Sequence, residues 1–533
     1  MNPVVVTTAG PVEGTASDGL RIFKGIPYAA PPEGPLRFAA AAAPEPWEEV
    51  RPAREFGAAP PQMPLLPGMP VAWRPEDGCD CLTVNVWTPA GEGDRLPVMV
   101  WIYGGGWKSG HSADPAYDGA VLARGGVVMV TFNYRVGFEG FGYVPDAPAN
   151  RGFLDQAAAL RWVAENIARF GGDADNVTVF GESGGGASVA ALLSAPAAKG
   201  LFHRAIVQSM AGRFLPEEEA ARISALIAKA AGVKPADVGT VPPERLLAVQ
   251  DAPLEAMEAD PAAWTTPEAI TAFSPVIDGV TVVDQPWLAV RAGAAREVDL
   301  ICGYTRDEFT LFAMERGLVA MGVGDLARTL PMALRMAAQQ LRGKERPAPA
   351  PHPRRKRRSG RAARAALDLA AVAGHLRLGA AAADSYRTAY PDLTDPQLYT
   401  VMYSDALFRM PTTWLALAHS AAGGRTHLYE FAWHSPVWGD VLGAVHTIDL
   451  PVTFGTPHSP MGSFLLGRSA PAEFFRLSAQ LRTSWTSFAT SGDPGWPRFT
   501  PTTPVARVWD VPPSETTDPL SASRQIWQLR SGL

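Results

Sequence analysis

The amino-acid sequence predicts an α/β protein built on a large, mostly parallel central sheet that is flanked by helices. Six short runs rich in apolar and β-branched residues lead to this prediction, at 96–103, 126–134, 176–183, 203–209, 296–304 and 425–433. Most of these runs are apolar on consecutive residues, which is typical of strands covered on both faces of a sheet. A helical pattern separates the second run from the third, and strand, helix and strand in succession indicate a parallel βαβ unit.

The individual elements support this fold class in chain order. The N-terminal segment MNPVVVTTAGPVEG has neither a basic flank nor a long apolar stretch, so it predicts an opening strand and not a signal peptide. A helix is predicted over 153–172, because the apolar residues there recur mostly at helical spacing and Gly171 supplies a stop signal.

Composition limits the kinds of partner that the protein can have. Of the 533 residues 47% are apolar, and a net charge of -6 argues against nucleic acid or an anionic membrane as the main partner. No apolar run reaches the roughly 18 residues of a membrane span. The three cysteines are too few for a disulfide framework. We therefore expect a cytoplasmic, monomeric protein with one domain over 1–533.

One stretch, at 342–366, departs from this texture. It alternates proline with alanine and then carries a dense run of arginine and lysine. A nucleic-acid or localisation patch is one interpretation of such a charge run. Because this composition cannot bury enough apolar area to become ordered, and the rest of the chain is acidic, we predict a disordered surface insertion.

The stretch VTVFGESGGG, at 177–186, predicts a sharp strand-to-helix turn around Ser183. Residues 181–185 fit G-x-S-x-G between a predicted strand and the helix-like run ASVAALLSA. Larger side chains at the flanking positions would collide with neighbouring backbone, and the turn pushes the serine oxygen outward. The helix N-terminus beneath the serine favours developing negative charge. These features predict a serine nucleophile, and the glycine spacing disfavours a dinucleotide-binding loop.

A second glycine cluster predicts an oxyanion hole. The stretch WIYGGGWKSG, at 101–110, follows an earlier strand and places Gly104, Gly105 and Gly106 together. Three successive glycines leave backbone N–H groups free to point at a carbonyl oxygen that is becoming an anion. The alternative is an ordinary glycine-rich turn.

The base and the acid are less sharply defined by pattern. A histidine should follow the acid near the C-terminal end, and His446 in GAVHTIDLP and His458 in GTPHSP are the loop candidates. The acid should stand just after a strand, and both Asp307 and Glu308 follow the run at 296–304. Pattern alone does not choose between the members of either pair.

Several blocks, in the same order along the chain, resemble the type-B carboxylesterases of the α/β-hydrolase superfamily, a family that also contains cholinesterases and p-nitrobenzyl esterases. The resemblance runs from about residue 4 to residue 530, and the blocks that support it are FKGIPYAAPPEGPLRF (23–38), CLTVNVW (81–87), WIYGGGW (101–107), FLDQAAALRWVAENIARFGGDADNVTVFGESGGG (153–186), RDE (306–308) and GAVHTIDLPVTFG (443–455).

This resemblance implies an α/β-hydrolase fold and assigns roles to residues of the chain. Ser183 would be the nucleophile, His446 the general base, and Glu308, in preference to Asp307, the acid. The oxyanion donors would be the N–H groups at three glycines, Gly105, Gly106 and Gly184. The implied reaction passes through an acyl-enzyme and uses no metal or cofactor.

The sequence departs from the family pattern near these residues. Gly184 stands where relatives have alanine, so we expect a less rigid turn there. Phe309 and Thr447 stand where relatives have glycine, so we expect crowding of the catalytic loops. A glutamate that pairs with the equivalent of Arg37 in relatives is replaced in the stretch Cys79-Asp80-Cys81-Leu82.

We therefore expect Arg37 to pair with Glu76 or Asp77, or to stay underpaired. Arg135 and Asp155 resemble the family's second internal ion pair.

The predicted activity is hydrolysis of short- to medium-chain, moderately hydrophobic carboxylic esters, with a small-molecule ester as the partner. Two alternatives remain: a catalytically silent binding protein on the same fold, and a hydrolase of amide, carbamate or polyester substrates. Six side chains are candidates either for the walls of an apolar pocket or for the core, namely Trp73, Trp107, Trp264, Phe309, Met314 and Trp438.

Overall fold

A computed structural model describes residues 2–64, 71–91, 93–264, 270–315, 367–379, 381–437 and 441–532. The predicted insertion at 342–366 and the candidate wall residue Trp438 lie outside the described residues. Among the helices that the described residues form, none is long and apolar enough to cross a membrane.

The strands follow the predicted apolar runs. In chain order they are β1 (Val4–Val6), β2 (Pro11–Glu13), β3 (Thr15–Ser17), β4 (Leu20–Pro27), β5 (Arg51–Pro52), β6 (Thr83–Thr88), β7 (Leu96–Ile102), β8 (Val128–Phe132), β9 (Gly172–Glu182), β10 (Arg204–Gln208), β11 (Leu215–Pro216), β12 (Val276–Ile277), β13 (Asp299–Thr305), β14 (Thr426–Phe431), β15 (Val505–Trp509) and β16 (Ser514–Thr517). The predicted opening strand and all six predicted core strands are confirmed.

Eleven of these strands form one sheet, in the order β16-β15-β14-β13-β10-β9-β7-β8-β6-β4-β3. Pairing is parallel from β15 to β8 and antiparallel towards both edges. Strands β8, β13 and β14 are buried along their whole length, and β10 is buried at every residue but the first, as their continuous apolar runs require. The predicted large, mostly parallel sheet is confirmed.

Helices cover this sheet. The α-helices of the described residues are Ala120–Ala123, Gly137–Phe141, Arg151–Asn166, Gly184–Leu192, Glu217–Ala230, Pro243–Val249, Ala252–Ala259, Pro286–Arg291, Thr310–Glu315, Leu369–His375, Ala382–Ala389, Asp395–Ser404, Met410–Ala421, Asp449–Phe454, Pro460–Leu466, Ala472–Ser491 and Ser521–Ile526. A π-helical turn, Asp405–Arg409, joins two of them.

The predicted βαβ unit around the helix Arg151–Asn166 is present. This helix continues as a 3-10 turn, Ile167–Phe170, and Gly171 then ends it in the left-handed conformation, with φ of 83°. Strand β9 begins at the next residue. The crossover passes over β7, because β7 lies between β8 and β9 in the sheet.

The sheet topology brings the predicted site residues to the side of the sheet where the parallel strands end. Gly104–Gly106 follow β7, Ser183 follows β9, and Glu308 follows β13, while His446 comes in the long connection after β14. These four strands are parallel, so their carboxyl ends lie on the same side of the sheet. This edge is where open α/β sheets place their ligands.

The prediction that Arg37 pairs with Glu76 or Asp77, or stays underpaired, is wrong. Its guanidinium donates to both oxygens of Glu139, at 3.1 Å and 2.6 Å, and also to the carbonyl oxygen of Val241. Asp77 instead accepts the backbone N–H of Arg74 and closes a local turn. Glu139 replaces the missing family carboxylate because the short helix Gly137–Phe141 presents it to the arginine.

The second internal ion pair is present as expected. Arg135 donates to Asp155 through Nε at 2.8 Å and Nη2 at 2.7 Å, and both side chains are buried. Such a two-pronged contact satisfies the fork geometry of arginine.

Candidate active site

Ser183 occupies the predicted turn between β9 and the helix Gly184–Leu192. Its backbone lies at φ of 58° and ψ of -123°, a region that residues with a side chain rarely adopt. Two hydrogen bonds hold this conformation: the Ser183 N–H donates to Gln208 O at 3.0 Å, and Ser183 O accepts from Ala187 N at 2.9 Å. Hydrogen bonds to strand β10 and to the helix Gly184–Leu192 therefore hold the strained backbone in place.

The flanking glycines allow this turn to pack against β7. A methyl group built on Gly185 would lie 2.0 Å from Ile102 O, and one on Gly181 would lie 2.6 Å from the Gly185 carbonyl carbon. Real side-chain carbons never approach backbone so closely. The steric role that the sequence predicts for these glycines is confirmed.

The loop after β7 contains two of the three predicted oxyanion donors, Gly105 and Gly106. Gly105 and Gly106 both have positive φ, 103° and 60°. A methyl group built on Gly184 would lie 3.3 Å from the Gly106 nitrogen, so the two glycine clusters are in close proximity. Within the described part of the chain, no acceptor is recorded for the N–H groups of Gly105, Gly106 or Gly184.

The histidine and the acid are in direct contact. His446 Nδ1 lies 2.5 Å from Glu308 Oε2, and both side chains are buried. The other Glu308 oxygen accepts the Thr305 N–H at 2.8 Å. Asp307 instead accepts the backbone N–H of Ala444 at 2.8 Å and so holds the loop that carries His446. Of the two acid candidates, Glu308 is thus the one in contact with His446.

A third carboxylate, Glu182, lies on the other side of the imidazole. Its Oε1 atom is 3.2 Å from His446 Nε2, and the side chain is buried. Among the described residues, no hydrogen bond is recorded between Ser183 Oγ and His446. In this conformation the imidazole therefore lies between two carboxylates, with Ser183 next to Glu182 in the chain.

The burial of these groups changes their protonation. Burial raises the pKa of Glu182 to about 8. Burial lowers the pKa of His446, but attraction to Glu182 and then to Glu308 outweighs this effect and raises the pKa to about 9. The imidazole is therefore more easily protonated than a free histidine.

Two phenylalanines pack against the imidazole. The ring centroid of Phe408 is 4.4 Å from that of His446, and that of Phe312 is 5.7 Å away. Phe408 belongs to the π-helical turn Asp405–Arg409, which an ion pair between Asp405 and Arg409 at 2.7 Å stabilises. These rings give the imidazole two apolar neighbours beside its two carboxylates.

The two departures from glycine have different outcomes. Phe309 is accommodated, because its ring stacks on Tyr403 with centroids 4.9 Å apart and its N–H donates to Ser404 Oγ at 3.0 Å. Thr447 has φ of 73°, which is unfavourable for a β-branched residue. Thr447 therefore introduces backbone strain next to His446, whereas Phe309 packs without the expected crowding.

The aromatic wall candidates of the described chain pack mainly in the core. Trp107 donates from Nε1 to Ser188 Oγ at 3.1 Å and is buried. Trp73, Trp264 and Phe309 are also buried, and Met314 packs against the core. Sequence reasoning missed Glu182, Phe312 and Phe408. Glu182 had a signal, as the second residue of the G-x-S-x-G motif, whereas Phe408 had none.

Comparisons with known proteins identify the family of the chain. The profile of a family described as the carboxylesterase family matches residues 1–525. The para-nitrobenzyl esterase of Bacillus subtilis is 35% identical over 98% of this chain and 98% of its own length. The phenmedipham hydrolase of Pseudarthrobacter oxydans is 33% identical over 95% of this chain and 94% of its own.

Solved structures extend the similarity to the fold. A para-nitrobenzyl esterase structure matches with a TM-score of 0.76 and 33% identity, over 99% of this chain and 100% of the other. A carboxylesterase of Geobacillus stearothermophilus matches with a TM-score of 0.77 and 32% identity, over 98% and 100%. The predicted α/β-hydrolase fold is confirmed.

Proposed function

We propose, given that the chain belongs to the carboxylesterase family and is a carboxylic ester hydrolase, that Ser183, His446 and Glu308 are its catalytic triad. The observation that carries the proposal is the buried contact of 2.5 Å between His446 Nδ1 and Glu308 Oε2, beside the strained turn that holds Ser183. A nucleophile, a base and a group that orients the base are the parts that acyl transfer through a serine requires.

The proposed reaction has two halves. Ser183 Oγ attacks the ester carbonyl carbon while its proton passes to His446 Nε2, and the tetrahedral intermediate then expels the alcohol, which takes that proton. Water next attacks the acyl-enzyme, again losing a proton to His446 Nε2. The carboxylic acid leaves, and Ser183 Oγ recovers the proton. Glu308 keeps the imidazole in the tautomer that presents a basic Nε2 and stabilises its charged form.

This mechanism requires the imidazole to turn from Glu182 towards Ser183. His446 Nε2 lies 3.2 Å from Glu182 Oε1, and Glu182 immediately precedes Ser183 in the chain. Catalytic hydrogen bonds are often long or poorly aligned before substrate binds. In the proposed substrate complex, His446 Nε2 exchanges its contact with Glu182 for one with Ser183 Oγ.

The N–H groups of Gly105, Gly106 and Gly184 are the proposed oxyanion hole. Two observations support this assignment. Within the described residues these N–H groups donate to no other group, and Gly184 lies close to Gly106. Donors fixed in advance stabilise the negative oxygen without the cost of reorganising them during the reaction.

For substrate, we propose short- to medium-chain, moderately hydrophobic esters. The rings of Phe312 and Phe408 against His446 support an apolar group near the reacting centre. Two relatives are named para-nitrobenzyl esterase and fatty acyl-CoA hydrolase, medium chain, which agrees with this choice.

The direct test of the nucleophile is covalent labelling. An alkyl fluorophosphonate should modify the wild-type protein once, and peptide mass spectrometry should locate the label on Ser183. Labelling at another residue, or equal labelling of Ser183→Ala, would refute the assignment.

A series of p-nitrophenyl esters from acetate to palmitate tests the substrate range. We expect kcat/KM to be highest between acetate and octanoate. Faster cleavage of a matched anilide or carbamate would favour the alternative substrate class. The proposed cytoplasmic, monomeric state is tested separately, by cell fractionation and by light scattering after size exclusion.

A further inference from the structure

We propose that Thr271 is a positioning residue for the oxyanion hole, an inference that rests on the proposed function. Its hydroxyl donates to Gly106 O at 2.8 Å, so a side chain from a distant segment fixes the peptide between Gly106 and Trp107. The segment containing Thr271 comes 165 residues after Gly106 in the chain. Thr271 is buried.

Three successive carbonyls of the oxyanion loop are held in different ways. Gly105 O accepts the N–H groups of Lys108 at 3.1 Å and Ser109 at 3.2 Å, and Trp107 O accepts that of Gly137 at 2.6 Å. Both of these are backbone contacts. Gly106 O is the exception, because the donor recorded for it in the described chain is the Thr271 hydroxyl.

The hydroxyl has one proton and two nearby acceptors. Phe273 O lies 3.0 Å from Thr271 Oγ1, slightly farther than Gly106 O. Phe273 O also accepts from Ser274 Oγ at 2.7 Å, so it is satisfied without Thr271. A buried carbonyl without a donor is costly, so the proton should go to Gly106 O.

Thr271 is itself held firmly. Arg213 Nη1 donates to Thr271 O at 3.0 Å and to Ala272 O at 3.3 Å. The threonine methyl covers the open face of the glycine, since a methyl group built on Gly106 would lie 2.7 Å from Thr271 Cγ2. The side chain thus contacts Gly106 through both its hydroxyl and its methyl group.

The contact with the Thr271 hydroxyl affects the direction of the Gly106 N–H. A glycine with φ of 60° has many accessible conformations, and it keeps one only while the peptides on both sides are fixed. Without the Thr271 hydroxyl, the following peptide can rotate and Gly106 gains conformational freedom. The Gly106 N–H belongs to the preceding peptide, whose carbonyl Gly105 O stays bound to the Lys108 and Ser109 N–H groups. Its direction is then fixed from that side alone, which lowers the stabilisation of the transition state more than the binding of substrate.

The test compares Thr271→Val, which keeps the shape, with Thr271→Ser, which keeps the hydroxyl. Loss of a direct oxyanion donor lowers the rate by about 10²–10³, so loss of a supporting bond should lower kcat by roughly tenfold. KM should change by less than about twofold, because ground-state binding is unaffected. Thr271→Ser should retain kcat within about threefold. Thr483→Val, the same change at an exposed threonine of the helix Ala472–Ser491, should leave kcat unchanged.

A trifluoromethyl ketone provides the readout that a purely structural role would not move, because it forms an oxyanion with the serine. Its inhibition constant should rise in Thr271→Val by the same factor by which kcat/KM falls. If Thr271→Val does not fold, Thr271→Ala and Thr271→Ser give the same comparison, since they differ by one hydroxyl.

The outcomes separate this inference from the proposed function. Wild-type kcat in Thr271→Val, or an equal loss in Thr271→Ser, would overturn the positioning role while leaving the triad intact. Full activity in Ser183→Ala would overturn the proposed function itself, and the inference with it.

Discussion

At the scale of single residues, the imidazole of His446 is the most consequential group, because two carboxylates act on it from opposite sides. Glu308 contacts Nδ1, where the mechanism needs a carboxylate. Glu182 is near Nε2, where the mechanism needs the serine. Protonated His446 is stabilised by both, whereas only neutral His446 can accept the serine proton. Glu182 therefore favours the form that must lose a proton before catalysis.

This arrangement predicts an alkaline pH profile. Because the pKa of His446 is raised to about 9, kcat/KM should increase with pH from 7 to about 9. Removing the negative charge in Glu182→Gln lowers the pKa of His446, so the acid limb should move to lower pH by about 1 to 2 units. Rates with p-nitrophenyl butyrate, corrected for spontaneous hydrolysis, measure the shift.

Glu76→Gln is the matched control, because Glu76 is an exposed carboxylate outside the site. Its profile should coincide with that of the wild type. An unchanged acid limb in Glu182→Gln would mean that Glu182 carries no charge when His446 titrates.

Thr447 provides a second residue-scale prediction. A left-handed conformation costs a residue with a side chain about 1–2 kcal/mol, whereas glycine adopts it freely but loses more chain entropy on folding. Thr447→Gly should therefore stabilise the protein by about 1 kcal/mol, which in a chain of this size raises the melting temperature by roughly 1–2 °C. Differential scanning calorimetry measures the change. Thr447→Ser keeps the strained β-carbon and should give no comparable gain, so equal melting temperatures for all three proteins would refute the strain.

At the scale of elements, the ion pair of Arg37 and Glu139 connects two segments that are remote in sequence. Arg37 ends the turn Gly34–Leu36, and Glu139 belongs to the helix Gly137–Phe141. Glu139 retains only 7% side-chain exposure, so it depends on the arginine for its compensation.

Arg37→Met should therefore destabilise the protein by about 2–4 kcal/mol, since it leaves a buried carboxylate unpaired. Arg37→Met combined with Glu139→Gln should recover part of this loss. Urea unfolding followed by tryptophan fluorescence measures the ranking. Glu76→Gln, which removes the partner expected from sequence, should unfold like the wild type. A larger loss in Glu76→Gln than in Arg37→Met would contradict the observed pairing.

The elements themselves were largely predictable, and their partners were not. A strand buried on both faces must be apolar along its length, so runs such as 126–134 are visible in the sequence. The Arg37 contact instead depends on a helix 102 residues away, which no local pattern encodes. The same holds for Phe408, whose approach to His446 depends on a π-helical turn.

At the scale of the whole molecule, the sheet explains why part of the site was predictable. Ser183, Gly105, Gly106 and Glu308 come within four residues after the ends of parallel strands, so their location at the same side of the sheet follows from the topology. His446 lies in a long connection, and only the family resemblance favoured it over His458. Thr271 escaped prediction because its importance depends on which atoms it faces, and spacing along the chain does not determine that. Glu182 could be found as a position of the G-x-S-x-G motif, but its approach to His446 could not.

The central claim is that hydrolysis proceeds through an acyl-enzyme on Ser183 and that His446 activates the Ser183 hydroxyl. The most direct measurement is a stopped-flow burst assay with p-nitrophenyl acetate and p-nitrophenyl butyrate, on the wild type beside Ser183→Ala and His446→Ala. We predict a burst of about one p-nitrophenol per protein molecule in the wild type and none in either variant. A burst of the same size in Ser183→Ala, or neither burst nor turnover in folded wild-type protein, would contradict the claim.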